Sequence, residues 1–286
     1  MQPTGLLRFL KKKPKYAMDH FFPQIMPLLV SVDELTLLPE EHDHGYVSCP
    51  LISGGLLVSL APRLRKLNFR GTIGMLQRIL SGPLQYPRCN FKPLPSLTHL
   101  VLSFQVRRKW RGFRIINIAV FVAFLQCLEE TLESLSVSIP KQVTPFLPKL
   151  PHFRRLEYLE IRLVTYQITP EEGVAFVSFL STHREYLKTL SLSLYPERSS
   201  TVRIYKAFCN ISFPFLHTLA LDRTQSLVEL TQAFPHVPNL QSFVSGGRDL
   251  DKETITKIHE CASPSVPIIA LGGNPFDSQL DVQLVV

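Results

Sequence analysis

The chain has 286 residues, 45% of them hydrophobic and 19% charged, a balance that excludes a disordered polymer and leaves room for a large core in one or two domains. Its formal charge of +8 is uneven, because residues 1–114 carry 17 Lys and Arg against 6 Asp and Glu. Five cysteines (Cys49, Cys89, Cys127, Cys209 and Cys261) lie far apart without a CxxC pair, which argues against a zinc site or disulfide framework and for a reducing intracellular setting, cytoplasmic or nuclear.

Residues 1–27 form a basic N-terminal segment with the cluster Lys11-Lys12-Lys13-Pro14-Lys15. Apolar residues precede these lysines and no long apolar stretch follows them, the reverse of a signal peptide. From Val32 onward one pattern recurs, an apolar residue followed by two more at the third and fifth places after it. The copies are Val32-Leu35-Leu37, Leu64-Leu67-Phe69, Leu97-Leu100-Leu102, Leu132-Leu135-Val137, Leu156-Leu159-Ile161, Leu187-Leu190-Leu192 and Leu216-Leu219-Leu221. Two weaker copies follow: Leu240 with Phe243, where Ser245 replaces the third apolar residue, and Val266-Ile269-Leu271. Successive copies start 24 to 35 residues apart, which suits one strand, one helix and two turns. Proline stands two residues before the first apolar position in five of the nine copies (Pro62, Pro95, Pro214, Pro238 and Pro264). It lacks an N–H and disfavours helix in the residue before it, so it ends an incoming helix and begins an extended segment.

Between copies the apolar period becomes helical. Residues 115–128 read as a buried helix, and their apolar run, broken by Asn117, is too short to span a membrane. Thr169-Pro170-Glu171-Glu172 reads as an N-cap with proline at the first helical position, and Val174, Val177 and Leu180 follow at helical spacing. Residues 227–234 and 253–261 read as shorter helices. Alternate residues of each strand face the core, and no single unit can cover its own apolar face, so stacking must. The expected fold is α/β: a leucine-rich-repeat solenoid of about nine irregular repeats, with a curved parallel sheet and helices on its convex side. The repeat domain is expected over 28–275, followed by a C-terminal tail at 276–286.

The segments Leu94-Pro95-Ser96-Leu97-Thr98-His99-Leu100, Phe153-Arg154-Arg155-Leu156-Glu157-Tyr158-Leu159-Glu160-Ile161 and Phe213-Pro214-Phe215-Leu216-His217-Thr218-Leu219 resemble the leucine-rich-repeat part of fungal F-box-type proteins. The resemblance covers about residues 25–275. It implies a solenoid that captures a protein for ubiquitination, the substrate adaptor of a ubiquitin ligase. The F-box pattern itself is not found in residues 1–27, and the repeats lack the usual Asn or Cys eight positions after the first leucine except at Asn274.

A solenoid binds through its open sheet face, which directs attention to the outward strand residues. Lys66, Arg70, His99, Tyr158, Glu160 and Arg162 are the candidate partner-binding residues, with Tyr158 to Arg162 an aromatic between charges of the kind found at interface hot spots. The bland alternative is a set of solvated residues suited to strands. A second surface, Arg107-Arg108-Lys109-Trp110-Arg111 with Phe113 and Arg114, joins positive charge to stacking rings as a single-stranded nucleic-acid contact would. It equally suits an acidic protein or a long loop. No GxSxG, GxGxxG, P-loop or HExxH occurs, and His42-Asp43-His44 near Cys49 matches no zinc spacing, so the reading has no catalytic residue, cofactor or metal. The chain is expected to be a non-enzymatic protein-binding module, with nucleic-acid binding through the basic N-terminal third as the rival.

Overall fold

A computed structural model describes residues 32–37, 57, 60–81, 94–104, 118–140, 149–164, 169–194, 210–222, 236–246, 252–262, 265–272 and 281–285. One open sheet runs through them in sequence order. Its parallel strands are β1 (Glu34–Leu37), β2 (Lys66–Gly71), β3 (His99–Phe104), β4 (Ser134–Pro140), β5 (Tyr158–Val164), β6 (Thr189–Leu194), β7 (Thr218–Asp222), β8 (Ser242–Gly246) and β9 (Ile268–Gly272). The segment expected as a tail contributes β10 (Asp281–Val285), antiparallel on β9.

Strand alternation and register stack the repeated apolar positions into two rows. Leu35, Leu67, Leu100, Leu135, Leu159, Leu190, Leu219 and Phe243 form the first, and Leu37, Phe69, Leu102, Val137, Ile161, Leu192 and Leu221 the second. All are buried in one continuous core. Ser245 ends the second row at 1% exposure, and its hydroxyl has no hydrogen-bond partner. The first apolar residue of each copy closes the corner before the strand. Leu64, Leu132 and Leu187 donate their N–H to the carbonyls of Leu60, Leu128 and His183, four residues back. The next residue's carbonyl then accepts two N–H groups from the following repeat, as Glu133 O does from Glu157 and Tyr158 at 2.9 and 3.0 Å.

Helices α1 (Ile73–Ser81), α2 (Ile118–Gln126), α3 (Pro170–His183) and α4 (Lys252–Cys261) supply further residues to the same core. At the start of α3 the capping box is complete. Thr169 Oγ1 accepts from Glu172 N at 3.2 Å, Glu172 Oε2 accepts from Thr169 N at 2.9 Å, and Pro170 opens the helix. The architecture is therefore the α/β parallel-stranded solenoid expected from the repeats.

Two expected phases are corrected. Val174 is 70% exposed; Leu180 is buried as expected and Val177 partly so, and α3 also buries Phe176, Phe179 and His183. In the last repeat the core-facing strand residue is Ile268, opposite Phe243, while Ile269 is only half-buried. The segment Val266-Pro267-Ile268-Ile269-Ala270-Leu271 is apolar throughout and has no alternation from which a phase could be read. The helix expected over 227–234 lies outside the described residues.

Candidate partner-binding surface

The uninterrupted register that stacks the core rows also stacks three rows on the opposite face. Lys66, His99, Ser134, Tyr158, Thr189 and Thr218 form the first. Asn68, Val101, Ser136, Glu160, Ser191 and Ala220 form the second, and Arg70, Ser103, Ser138, Arg162, Ser193 and Asp222 the third. Strand β5 carries the large side chains Tyr158, Glu160 and Arg162. Its neighbours β4 and β6 carry only small hydroxyl residues at the paired positions. The result is a ridge between two low strips.

The ridge is organised by Glu160, which is only 7% exposed although it lies on the outer face. Arg162 donates to its Oε1 from Nε at 2.8 Å, with a second guanidinium nitrogen at 2.7 Å. Ser136 Oγ donates to its Oε2 at 2.6 Å, and Tyr158 OH approaches the same oxygen at 3.4 Å. Both carboxylate oxygens are thus occupied by donors from the chain itself. A two-nitrogen contact from arginine fixes the guanidinium plane as well as its position. The Tyr158 hydroxyl titrates above its ordinary value, first because burial disfavours the phenolate and then because the Glu160 charge and hydrogen bond oppose it; Arg162 acts in the other direction.

This arrangement changes the roles expected from the sequence. Glu160 is a buried support, and Tyr158 and Arg162 are the parts of the ridge that reach solvent. Lys66, Arg70 and His99 lie on the same face, two or three strands away from β5, or about 10–15 Å at the usual strand spacing. The Ser134–Ser136–Ser138 strip separates them from the ridge, so they form a second basic area. Lys66 is paired with Glu34 at 2.8 Å, and the His99 ring contacts Thr98 Oγ1 at 2.8 Å. Lys11–Lys15, His42–Cys49 and the Arg107–Arg114 cluster, including Lys109, Trp110 and Arg111, lie outside the described residues.

Sequence reading missed a feature at the rim where β4 to β7 begin. A cavity of about 370 Å³ is lined by residues on either side of the first leucine in successive repeats. Arg155, Tyr186 and Phe215 precede it, and Glu133, Glu157, Lys188 and His217 follow it; Arg154 and Glu185 complete the lining. Arg155 pairs with Glu133 at 2.8 Å and Lys188 with Glu157 at 2.8 Å, each ion pair joining neighbouring repeats. The signal was present in the proline column. In the repeats of β4, β5 and β6 its place is taken by Glu130, Arg154 and Glu185. Arg154 could not be proline, because its N–H donates to Glu129 O at 2.9 Å.

His183, also missed, lies beside this rim with 0% exposure. Its Nε2 accepts from Phe153 N at 2.9 Å, and its Nδ1, which must then carry the proton, donates to Phe179 O at 2.7 Å. The ring ties the end of α3 to the turn entering β5. Burial pushes its pKa down to about 4, the Phe179 carbonyl acts in the opposite direction, and the nearby His152 adds to the lowering. Both ring nitrogens are committed, which makes this a structural histidine.

No protein-family model and no curated protein matches the chain. Among the described residues no helix is long and apolar enough to cross a membrane, and no group of three metal-ligating side chains comes together.

Proposed function

We propose that the chain is a protein-recognition module that binds its partner across the open sheet face, with Tyr158 and Arg162 as the principal contacts. The observation that carries this reading is the preorganised ridge on β5. An arginine already held by a buried carboxylate loses little conformational freedom on binding, and an aromatic beside it supplies apolar area. The half-buried Ser134, Ser138 and Thr189 beside it supply small polar groups without obstructing access to the ridge. Coupling to a ubiquitin ligase, with the partner as its substrate, rests on the resemblance to F-box-type receptors alone.

The test is crosslinking and affinity capture of proteins by the wild-type chain, followed by measurement of the same complexes with variants. Arg162→Glu and Tyr158→Ala are each expected to weaken capture at least about tenfold, in line with loss of one interface anchor. Reversal of Arg107, Arg108 and Arg111 together is expected to leave it intact. Capture that survives both ridge variants would overturn the proposal. Binding of nucleic acid that falls steeply with salt and disappears in the triple reversal would move the function to the basic cluster.

A further inference from the structure

We infer that the rim cavity at the start of β4 to β7 is a second docking point for the partner protein, and that it takes an uncharged apolar anchor side chain, a large aliphatic or aromatic residue. This inference rests on the sheet face being a protein-binding surface and adds the chemistry of one partner residue.

Two independent features mark the rim. The first is local sequence: three of the four repeats that line the cavity are the consecutive ones that replace the incoming proline, with Glu130, Arg154 and Glu185, while the fourth keeps Pro214. The second is the exposure of apolar area. Tyr186 and Phe215 occupy equivalent places in adjacent repeats, at 45% and 52% exposure, and both line the cavity. Lying at equivalent places of neighbouring repeats and lining the same cavity, the two rings form an exposed apolar shelf at the rim. With Arg155 in the next place along the same column, the sequence Arg, Tyr, Phe is the set of side chains enriched at interface cores.

The charges around the shelf select against an ionic guest. Arg155 is neutralised by Glu133, Lys188 by Glu157 and Arg154 by Glu130, at 2.8, 2.8 and 3.2 Å, while Glu185 lies 3.4 Å from Arg184. An incoming anion or cation would have to displace a partner already in place, and neither sign gains from the site as a whole. An apolar side chain on the shelf leaves every pair intact. It also leaves the pairs as a polar border that excludes water from the contact, the arrangement that makes a buried anchor effective. The rim adjoins the ridge directly, because Glu157 is the residue before Tyr158. One partner can therefore seat an anchor at the rim and lie across β5.

The test titrates the full chain with capped single residues: N-acetyl-tryptophanamide, N-acetyl-argininamide and the amide of N-acetyl-aspartate. The readout is the NMR signals of the His217 imidazole and the Tyr186 ring, at about 20 mM and about 300 mM NaCl, which spans weak to strong screening. Saturable shifts are expected for the tryptophan amide, with an affinity that changes less than about twofold between the two salts and falls at least about tenfold in Phe215→Ala. The charged amides are expected to bind at least about tenfold more weakly. Phe215 is half exposed, so Phe215→Ala should keep its melting temperature; Tyr186→Ala serves as the second variant if it does not. Equal or tighter binding of a charged amide, or no saturable shift with the tryptophan amide, overturns the inference. The titration needs no partner and does not involve the ridge, so it can fail while Arg162→Glu still abolishes protein capture. Conversely, tryptophan-amide binding that persists while Arg162→Glu and Tyr158→Ala leave capture unchanged would refute the ridge and retain the rim.

Discussion

Two acid–base pairs lie on the same face of the same sheet, and their closest contacts are nearly equal: 2.8 Å for Lys66 with Glu34 and 2.7 Å for Arg162 with Glu160. Their surroundings differ. In the first pair both side chains are about half exposed, whereas in the second the Glu160 side chain is only 9% exposed. The first joins two edge-region strands through flexible side chains in water. The second lies within one strand, flanked by serines and threonine, and recruits Ser136 and Tyr158 as further donors. Bond length therefore does not distinguish an incidental surface pair from a built one. Burial of the carboxylate and the number of donors satisfying it do.

The largest expected effect tests the support beneath that ridge. Leu159 is fully buried directly under it in the core row, and Leu159→Ala is expected to cost ~2–5 kcal/mol in chemical denaturation. A midpoint unchanged from wild type would remove the core row from the explanation. Acid acts next. His183 has a folded pKa of about 4 against an ordinary 6.5, so the unfolded chain binds more protons between those values. Its contribution is complete above pH 6.5 and is progressively lost as pH falls towards 4, by about 3 kcal/mol if the whole shift is realised. His183→Gln is expected to be less stable at neutral pH but to lose less on acidification over that window. Equal slopes for the two proteins would show that the ring is not buried neutral.

Glu160→Gln sharpens the comparison itself. Replacing a carboxylate held by charged and hydroxyl donors is expected to cost ~1–3 kcal/mol in thermal or chemical unfolding. It should also let Tyr158 ionise at lower pH, since the Glu160 charge and hydrogen bond help to hold its pKa up. Ultraviolet detection of phenolate formation reads this directly, and an unmoved titration would detach the tyrosine from the carboxylate. The smallest effect belongs to the other pair. Glu34→Gln is expected to change stability by no more than ~1 kcal/mol, and by less at high salt. A cost matching that of Glu160→Gln would erase the distinction between the two pairs.

The core was legible because leucine placement alternates cleanly with polar residues in most strands, so Leu67, Leu100 and Leu159 could each be assigned a face from neighbours in sequence. The α3 segment resisted that logic. Val174, Phe176, Val177, Phe179 and Leu180 distribute apolar residues around the helix, and only packing decides that Val174 is the exposed one. The outward position of Glu160 was also legible, but its burial was not. That burial depends on Ser136, which is 24 residues earlier and becomes its neighbour only through strand register. The rim cavity was hidden for the same reason, because its lining is drawn from three columns across four repeats.

The strand register has a consequence for how such a surface can diversify. Each outer side chain sits on a grid whose spacing is fixed by the backbone, and the core rows that maintain the grid are on the other side of the sheet. A substitution at Ser134, Ser138 or Thr189 can alter the height or polarity of one grid point without moving the next. Ser134, Ser138 and Thr189 beside β5 are thus open positions at which new specificity can be written one residue at a time, with the scaffold's stability largely uncoupled from the change.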